Sequence, residues 1–285
     1  MSNDFAMKTP NGCLDLDTVR YPVFVQPKLD GLRGIAVRSG STVTWYSYSG
    51  KPLWNTEHLT ENLPKTPGTY DGEIIWPGHP FADAYGLCKR QDPDPKKYPN
   101  HEQDKKELQF HVFDFLHEGE WEHRTCFRPM RERDDFLRRM PWNDVVQRVP
   151  LWVVRDQESL LDHHSRFLDQ GLEGTMVKKI EGNYHWKRHP DWHRHKPTQT
   201  EDFRIIGAVE GKGKWKGALG AFLLDLGLPK PQEAGGGRID LATRTDWWNR
   251  RTELQGKFVE VTFKCRTPDG YLREPILIRL REDKE

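Results

Sequence analysis

Lys28-Leu29-Asp30-Gly31-Leu32-Arg33 lies between two β-rich runs, Tyr21 to Val25 and Gly34 to Arg38. Short runs of valine, isoleucine and aromatics on either side predict strands, so the hexapeptide is a tight polar turn between them. A lysine on such a turn can present its amine into a pocket. Gly31 lets backbone or ligand approach closely, and Arg33 offers a planar cation for a phosphate or carboxylate. Taken alone, the same hexapeptide fits a charged hairpin tip.

Outward from the turn, Thr42 to Tyr48 alternates as a strand, and Asn55 to Leu63 is expected as a short helix with Asn55 as cap. Gly68 to Ile75 reads as turn then strand, and Phe110 to Leu116 as a buried strand. Between them, Lys89 to Glu107 is charged and proline-bearing, a long surface excursion or a loop-rich helix. Helices are expected over Arg128 to Met140 and Ser159 to Gln170, the second stopped by Gly171, with a strand over Thr175 to Ile180. Lys196 to Asp202 is polar, has little to bury, and is a candidate hinge. Short strands then follow at Phe203 to Glu210, Gly220 to Leu226, Gly237 to Leu241, Phe258 to Lys264 and Ile276 to Leu280. Their spacing suggests a small closed barrel, a common nucleic-acid platform.

Composition excludes several classes. Aromatics make up 11% of the 285 residues, far too many for a disordered chain. The net charge is only +1, so any nucleic-acid surface must be local. From Arg204 onward there are roughly 16 basic and 12 acidic residues, a mild excess that an ordinary solvated surface also explains. Cys13, Cys88, Cys126 and Cys265 are scattered with no C-x-x-C pair, which speaks against a zinc ribbon or a disulfide framework and for a reduced compartment. No stretch approaches a membrane span, and the polar N-terminus lacks a secretory signal. A cytoplasmic chain is expected.

Further clusters carry chemistry. Asp71-Gly72-Glu73 and Phe113-Asp114 each fit a turn or a core strand when taken singly. In Glu173-Gly174-Thr175-Met176-Val177-Lys178 the two charged ends would lie on opposite faces of a regular strand, so the glycine must bend it for both to reach one site. In Trp192-His193-Arg194-His195-Lys196 alternation puts Arg194 and Lys196 on one face, as a phosphate clamp or a basic edge. His185, His189, His193 and His195 cluster with Asp191, but the spacing fits no helical H-x-x-x-H pair, and a metal role is disfavoured. Lys212, Lys214 and Lys216 flank glycines and Trp215 in an expected barrel loop, where phosphate contact and plain solvation are equally open.

In this order, these residues resemble the covalent nucleotidyltransferases, specifically the ATP-dependent DNA ligases of the minimal phage or bacterial type. Lys28 to Arg33 looks like the nucleophile motif. Asp71 to Glu73, Phe113-Asp114, Glu173 to Lys178 and Trp192 to Lys196 look like successive pocket motifs, and Arg281-Glu282-Asp283-Lys284 like a terminal R-x-D-K element. The resemblance implies an α+β nucleotidyltransferase domain, ATP-grasp-like, over 1–198, then an all-β OB-fold barrel over 199–285. It implies a monomer using ATP and Mg²⁺, with Mn²⁺ able to substitute, that seals 5′-phosphate/3′-hydroxyl nicks in double-stranded DNA through lysine–AMP and adenylated-DNA intermediates.

By the same resemblance, Lys28 is the nucleophile, assisted by Lys178, Arg194 and Lys196. Gln26, Arg33, Glu73, Phe113 and Arg281 hold the nucleotide: Phe113 stacks on adenine, Glu73 holds ribose, and Arg33 touches phosphate. Glu173, with Glu73, binds metal. Asp30, Lys51 and Asp71 face the nick, and Lys212, Lys214 and Lys216 grip the duplex. Two positions depart from the pattern. Tyr48 in Ser47-Tyr48-Ser49-Gly50-Lys51 stands where an arginine usually grips the 5′-phosphate, and Lys51 would partly substitute. Arg194 replaces the first lysine of W-x-K-x-K, keeping charge but not a point-like ammonium. An RNA ligase, a GTP-using mRNA capping guanylyltransferase, or a non-catalytic OB-type binder are the alternatives. Covalent AMP, covalent GMP or no adduct discriminates them.

Overall fold

The computed structural model describes residues 4–10, 14–197, 199–237, 239–263, 266–267, 269–281 and 284. The chain divides into two compact units, Met1–Lys196 and Pro197–Glu285.

In the first unit, β1 (Val23–Lys28), β2 (Leu32–Ser39), β3 (Thr42–Ser47), β4 (Gly68–Ile75), β5 (Gln109–Leu116), β6 (Val146–Arg148), β7 (Trp152–Val154), β8 (Gly174–Lys179) and β9 (Trp192–His195) form two sheets. One has the order β3-β2-β4-β5-β6 and the other β7-β1-β8-β9. The turn after Lys28 is therefore no hairpin tip: it carries the chain from one sheet to the other. Gly31 is required there, since a Cβ would lie 2.6 Å from the Ile74 carbonyl oxygen, a backbone atom that cannot step aside. Pro27 is tolerated inside β1 because pairing with β7 ends at Val25, while β8 continues alongside to Lys28.

Helices cover the sheets. Among them are α1 (Glu57–Asn62), α2 (Phe81–Cys88), α3 (His101–Asp104), α4 (Glu118–Glu122), α5 (Met130–Arg138) and α6 (Gln157–Asp169). Asp156 caps α6 by accepting the Ser159 N–H at 2.8 Å, and the helix buries Leu160, His164 and Phe167, spaced four and three apart. Gly171, at φ 75, lies just past its end. The larger core, with Leu32, Trp45, Tyr70, Phe110 and Leu137, lies against the five-stranded sheet. Each such side chain contributes roughly 1.5–3 kcal/mol on burial.

Several expectations change. Asn55 is not the cap of α1. Thr56 precedes the helix, while Asn55 sits at φ 58 and its side-chain amide donates to the Leu87 and Arg90 carbonyls at 2.8 and 3.2 Å. The excursion before Glu107 contains only the single turn α3 and follows an unforeseen helix, α2.

In the second unit, β10 (Gln199–Glu210), β11 (Leu219–Asp225), β12 (Gln232–Gly235), β13 (Phe258–Phe263) and β14 (Ile276–Arg281) close a barrel in the order β10-β11-β12-β14-β13. Phe203, Ile205, Phe222, Val259 and Phe263 fill it. Two helices, α7 (Leu241–Asn249) and α8 (Arg251–Leu254), complete the unit, and Trp247 of α7 stacks on Phe222 at 5.6 Å. Of the strand expected over Gly237 to Leu241, Arg238 lies outside the described residues and the others form none: β12 ends earlier and Leu241 opens α7, capped by Asp240. Residues 199–202 of the expected hinge also belong to β10, paired with β13. Among the described residues no helix is long and apolar enough to cross a membrane. Cys88 and Cys126 are free and buried, while Cys13 and Cys265 lie outside the described residues.

Candidate active site

A cavity of about 980 Å³ opens where the two sheets of the first unit face each other. Gln26 and Lys28 of β1, Lys178 of β8, and Trp192 and Arg194 of β9 line one side. Arg33 of β2, Glu73 of β4 and Phe113 of β5 line the other. Lys51 and Tyr48 stand at the β3 end.

Lys28 ends β1 with its ammonium against one oxygen of Glu173, and Lys196 contacts the other. The Glu173 N–H also donates to the Lys28 carbonyl at 3.1 Å. Gly174 supplies the required bend. It sits at φ 145, a region hostile to other residues, and a Cβ there would be 2.4 Å from the His195 carbonyl oxygen. Glu173 thereby meets Lys28, which lines the same cavity as Lys178. Burial lowers the Lys28 pKa; Glu73 and Asp30 oppose the drop, and Arg194 and Arg33 add to it. Burial, not the expected set of cations, is the largest influence.

Lys178 is almost fully enclosed. Its ammonium donates to the Phe113 carbonyl at 3.1 Å and lies 4.4 Å from the Trp192 ring and 4.9 Å from Phe113. Burial drives its pKa down to about 8, with Asp114 opposing. Burial pushes Glu73 up to about 8, partly offset by Lys28 and Arg33. Both groups line the one cavity, each with its charged form disfavoured by burial.

One expected role does not fit. Asp71 is fully buried, and its oxygens accept Arg33 Nε at 2.9 Å, Arg33 Nη2 at 2.6 Å and the Tyr184 hydroxyl at 2.7 Å. It cannot face a nick. Arg33 spends its third nitrogen on the Met7 carbonyl at 2.6 Å and lies over Phe113 and Trp192, so it is fixed in the cavity wall. Asp114 is likewise held, 2.8 and 3.0 Å from fully buried Arg133.

A family model described as ATP dependent DNA ligase domain matches residues 14–196, the stretch that carries all of these residues except Met7. The chain belongs to the ATP-dependent DNA ligase family. DNA ligase 2 of Haloquadratum walsbyi is 27% identical over 216 residues, covering 71% of this chain and 33% of that protein. The DNA ligase of Enterobacteria phage T4 is 24% identical over 321 residues, covering 93% of this chain and 66% of that protein. The chain thus spans about a third of the length of the archaeal relative. A solved structure from a study of DNA binding by Lig E DNA ligases shares the fold, with TM-score 0.63 at 18% identity over 96% of this chain and 98% of that one.

Asp30 is exposed on the turn. Lys212, Lys214 and Lys216 are exposed in the second unit, around the single turn Gly213–Trp215. Arg281 there donates to Asp202 at 2.8 Å, and Lys284 holds the same carboxylate. Glu282 and Asp283 lie outside the described residues. The sequence reading missed Lys8 and Thr9 of the N-terminal segment, Arg188, and the stacked pair Phe81 and Tyr85 of α2, all of which line the cavity. Phe81 and Tyr85, four apart and 42% exposed each, left a weak helical signal; the others left none.

Proposed function

We propose that this chain is an ATP-dependent DNA ligase that seals 5′-phosphate/3′-hydroxyl nicks in duplex DNA, working as a monomer. The placement of Lys28 carries the reading: its amine is buried toward deprotonation, at the floor of a cavity large enough for a nucleotide, with cations and aromatics around it. Lys28 attacks the α-phosphorus of ATP, forming a P–N bond as the P–O bond to pyrophosphate breaks. Glu173, already in contact with the amine, is the nearest base for the proton. AMP then passes to the 5′-phosphate of the nick, and the 3′-hydroxyl displaces it to form the phosphodiester.

Gln26 and Phe113 border the adenine, Glu73 the ribose, and Lys178, Arg194 and Lys196 the phosphates. Arg33 and Asp71 act together as scaffold. Glu173 and Glu73 offer hard carboxylate oxygens beside Lys28, the donor type that magnesium or manganese takes. When bound, such an ion neutralises phosphate charge. Asp30 and Lys51 face the nick. Residues 199–285 form an OB-type domain whose Lys212, Lys214 and Lys216 contact backbone phosphates, and Arg281 serves the pyrophosphate side during self-adenylation.

The test is incubation with α-labelled ATP or GTP and magnesium. Wild type should carry covalent AMP, and Lys28→Ala none. An adduct retained by the variant, or labelling by GTP alone, refutes the proposal.

A further inference from the structure

Loop 180–191, which returns the chain from β8 to β9, gathers three metal-ligating side chains that the proposed reaction does not use. His185 Nε2 and His189 Nδ1 both lie against a single oxygen of Asp191, at 3.0 and 3.4 Å, and the three donor atoms fall within 4.8 Å of one another. A tetrahedral zinc ion with bonds of roughly 2.0–2.1 Å holds neighbouring donors about 3.3–3.4 Å apart. Two of the three edges therefore already have nearly the length such an ion imposes.

The hydrogen bonding points the same way. The Asp191 N–H donates to His189 Nδ1 at 3.3 Å, so that nitrogen is the unprotonated one of its ring and carries the lone pair a metal ion needs, held only by this long contact. Lys179 holds the second oxygen of Asp191 at 3.0 Å, which leaves one oxygen to present. The two imidazoles stack at 3.5 Å, so both rings reach the carboxylate from one side. Asp191 is buried, while the histidine side chains are 26% and 25% exposed, leaving a solvent-facing approach for a further ligand.

We propose that His185, His189 and Asp191 form a three-ligand site for a divalent ion of the zinc class, completed by water. The helical-spacing objection does not apply, because the ligands come from a loop. His193 and His195 lie on β9, where His195 packs on His164 at 4.3 Å.

The site sits where the N-terminal segment is fastened. The His189 N–H donates to the Lys8 carbonyl at 2.9 Å, Arg188 to the Thr9 carbonyl at 2.9 Å, and the Asp4 N–H to the Trp186 carbonyl at 2.9 Å. Lys8, Thr9 and Arg188 in turn line the cavity. A bound ion would stiffen that wall without entering the reaction.

Cobalt(II) titration of the tag-free full chain, read by visible absorption with zinc as competitor, tests this. Wild type should saturate at about one equivalent with a Kd of about 10 μM or tighter, and zinc should displace the cobalt. His185→Gln/His189→Gln should bind at least about tenfold more weakly, yet form the same Lys28–AMP adduct with ATP and magnesium. If circular dichroism shows the double variant unfolded, His185→Gln alone carries the same comparison. No saturable binding by wild type, or a loss smaller than tenfold in the folded variant, overturns the site.

Discussion

Lys178→Met should make the protein more stable at neutral pH while removing its adenylation activity. The ammonium of Lys178 is enclosed by Phe113, Trp192 and the backbone, with its pKa lowered from 10.5 to about 8. At about 1.4 kcal/mol per pH unit, keeping the charge inside the fold costs about 3 kcal/mol wherever the group is protonated in both states. Methionine keeps the stem and forfeits one hydrogen bond and the ring contacts, together about 1–2 kcal/mol. The variant should therefore gain about 1–2 kcal/mol at pH 7. The sign follows from proton counts: between about pH 8 and 10.5 the unfolded chain holds the proton that the folded chain has lost, so wild-type stability rises with pH through that window. Urea unfolding followed by tryptophan fluorescence at pH 7 and pH 10 measures it. The advantage of the variant should shrink by about 2–3 kcal/mol and reverse. A variant that is less stable at pH 7, by an amount independent of pH, would refute the view of Lys178 as a charge held at the expense of stability.

The other predictions are briefer. Glu173→Ala should lower single-turnover sealing on the order of 10²-fold; near wild-type turnover at low magnesium would remove Glu173 from the site. Glu73, raised from 4.5 to about 8, favours the fold when protonated, and that contribution fades as pH rises from about 4.5 to 8. Glu73→Gln should gain on wild type across this window, and chemical denaturation at pH 5 and pH 8 should show the gap widening. Replacing Lys212, Lys214 and Lys216 with alanine should weaken nick binding and flatten its log–log salt slope by up to about 0.9 per lysine, with the AMP adduct intact; an unchanged slope places these lysines in solvent.

What the sequence made legible was local. The turn at Lys28 to Arg33, the strand Phe110 to Leu116, the bend demanded at Gly174 and the Gly171 stop each follow from neighbouring residues, and the structure has them. What it hid was set by tertiary partners. Nothing near Asp71 announces that Arg33 and Tyr184, 113 positions away, will occupy its oxygens. Asn55 has the chemistry of a cap, yet it sits at φ 58 with its side chain turned to donate to carbonyls across the fold at Leu87 and Arg90. The Asp114 partner, Arg133, looks like an ordinary charge on a helix until the fold buries it. Lys8 and Arg188 enter the cavity wall only because a terminal segment and a distant loop zip together.

The same contrast explains why the site stands on a crossover turn. A hairpin tip would leave Lys28 in water with an ordinary amine. Because Leu29 to Gly31 pass between sheets, the lysine is desolvated only once both sheets are assembled, β8 beside it and β4 beneath Gly31. Its lowered pKa is thus a product of the whole unit rather than of the hexapeptide. The fold concentrates further unfavourable groups at the same junction: a Glu73 whose pKa burial pushes up to about 8, an enclosed Lys178, and Asp71 and Asp114 held by bidentate arginines. Buried pairs of this kind are weak sources of stability, and breaking one by removing a partner leaves an uncompensated charge costing about 3–5 kcal/mol. They make sense as fixtures that hold Phe113 and its carbonyl, and through it the Lys178 ammonium, at one register beside Lys28.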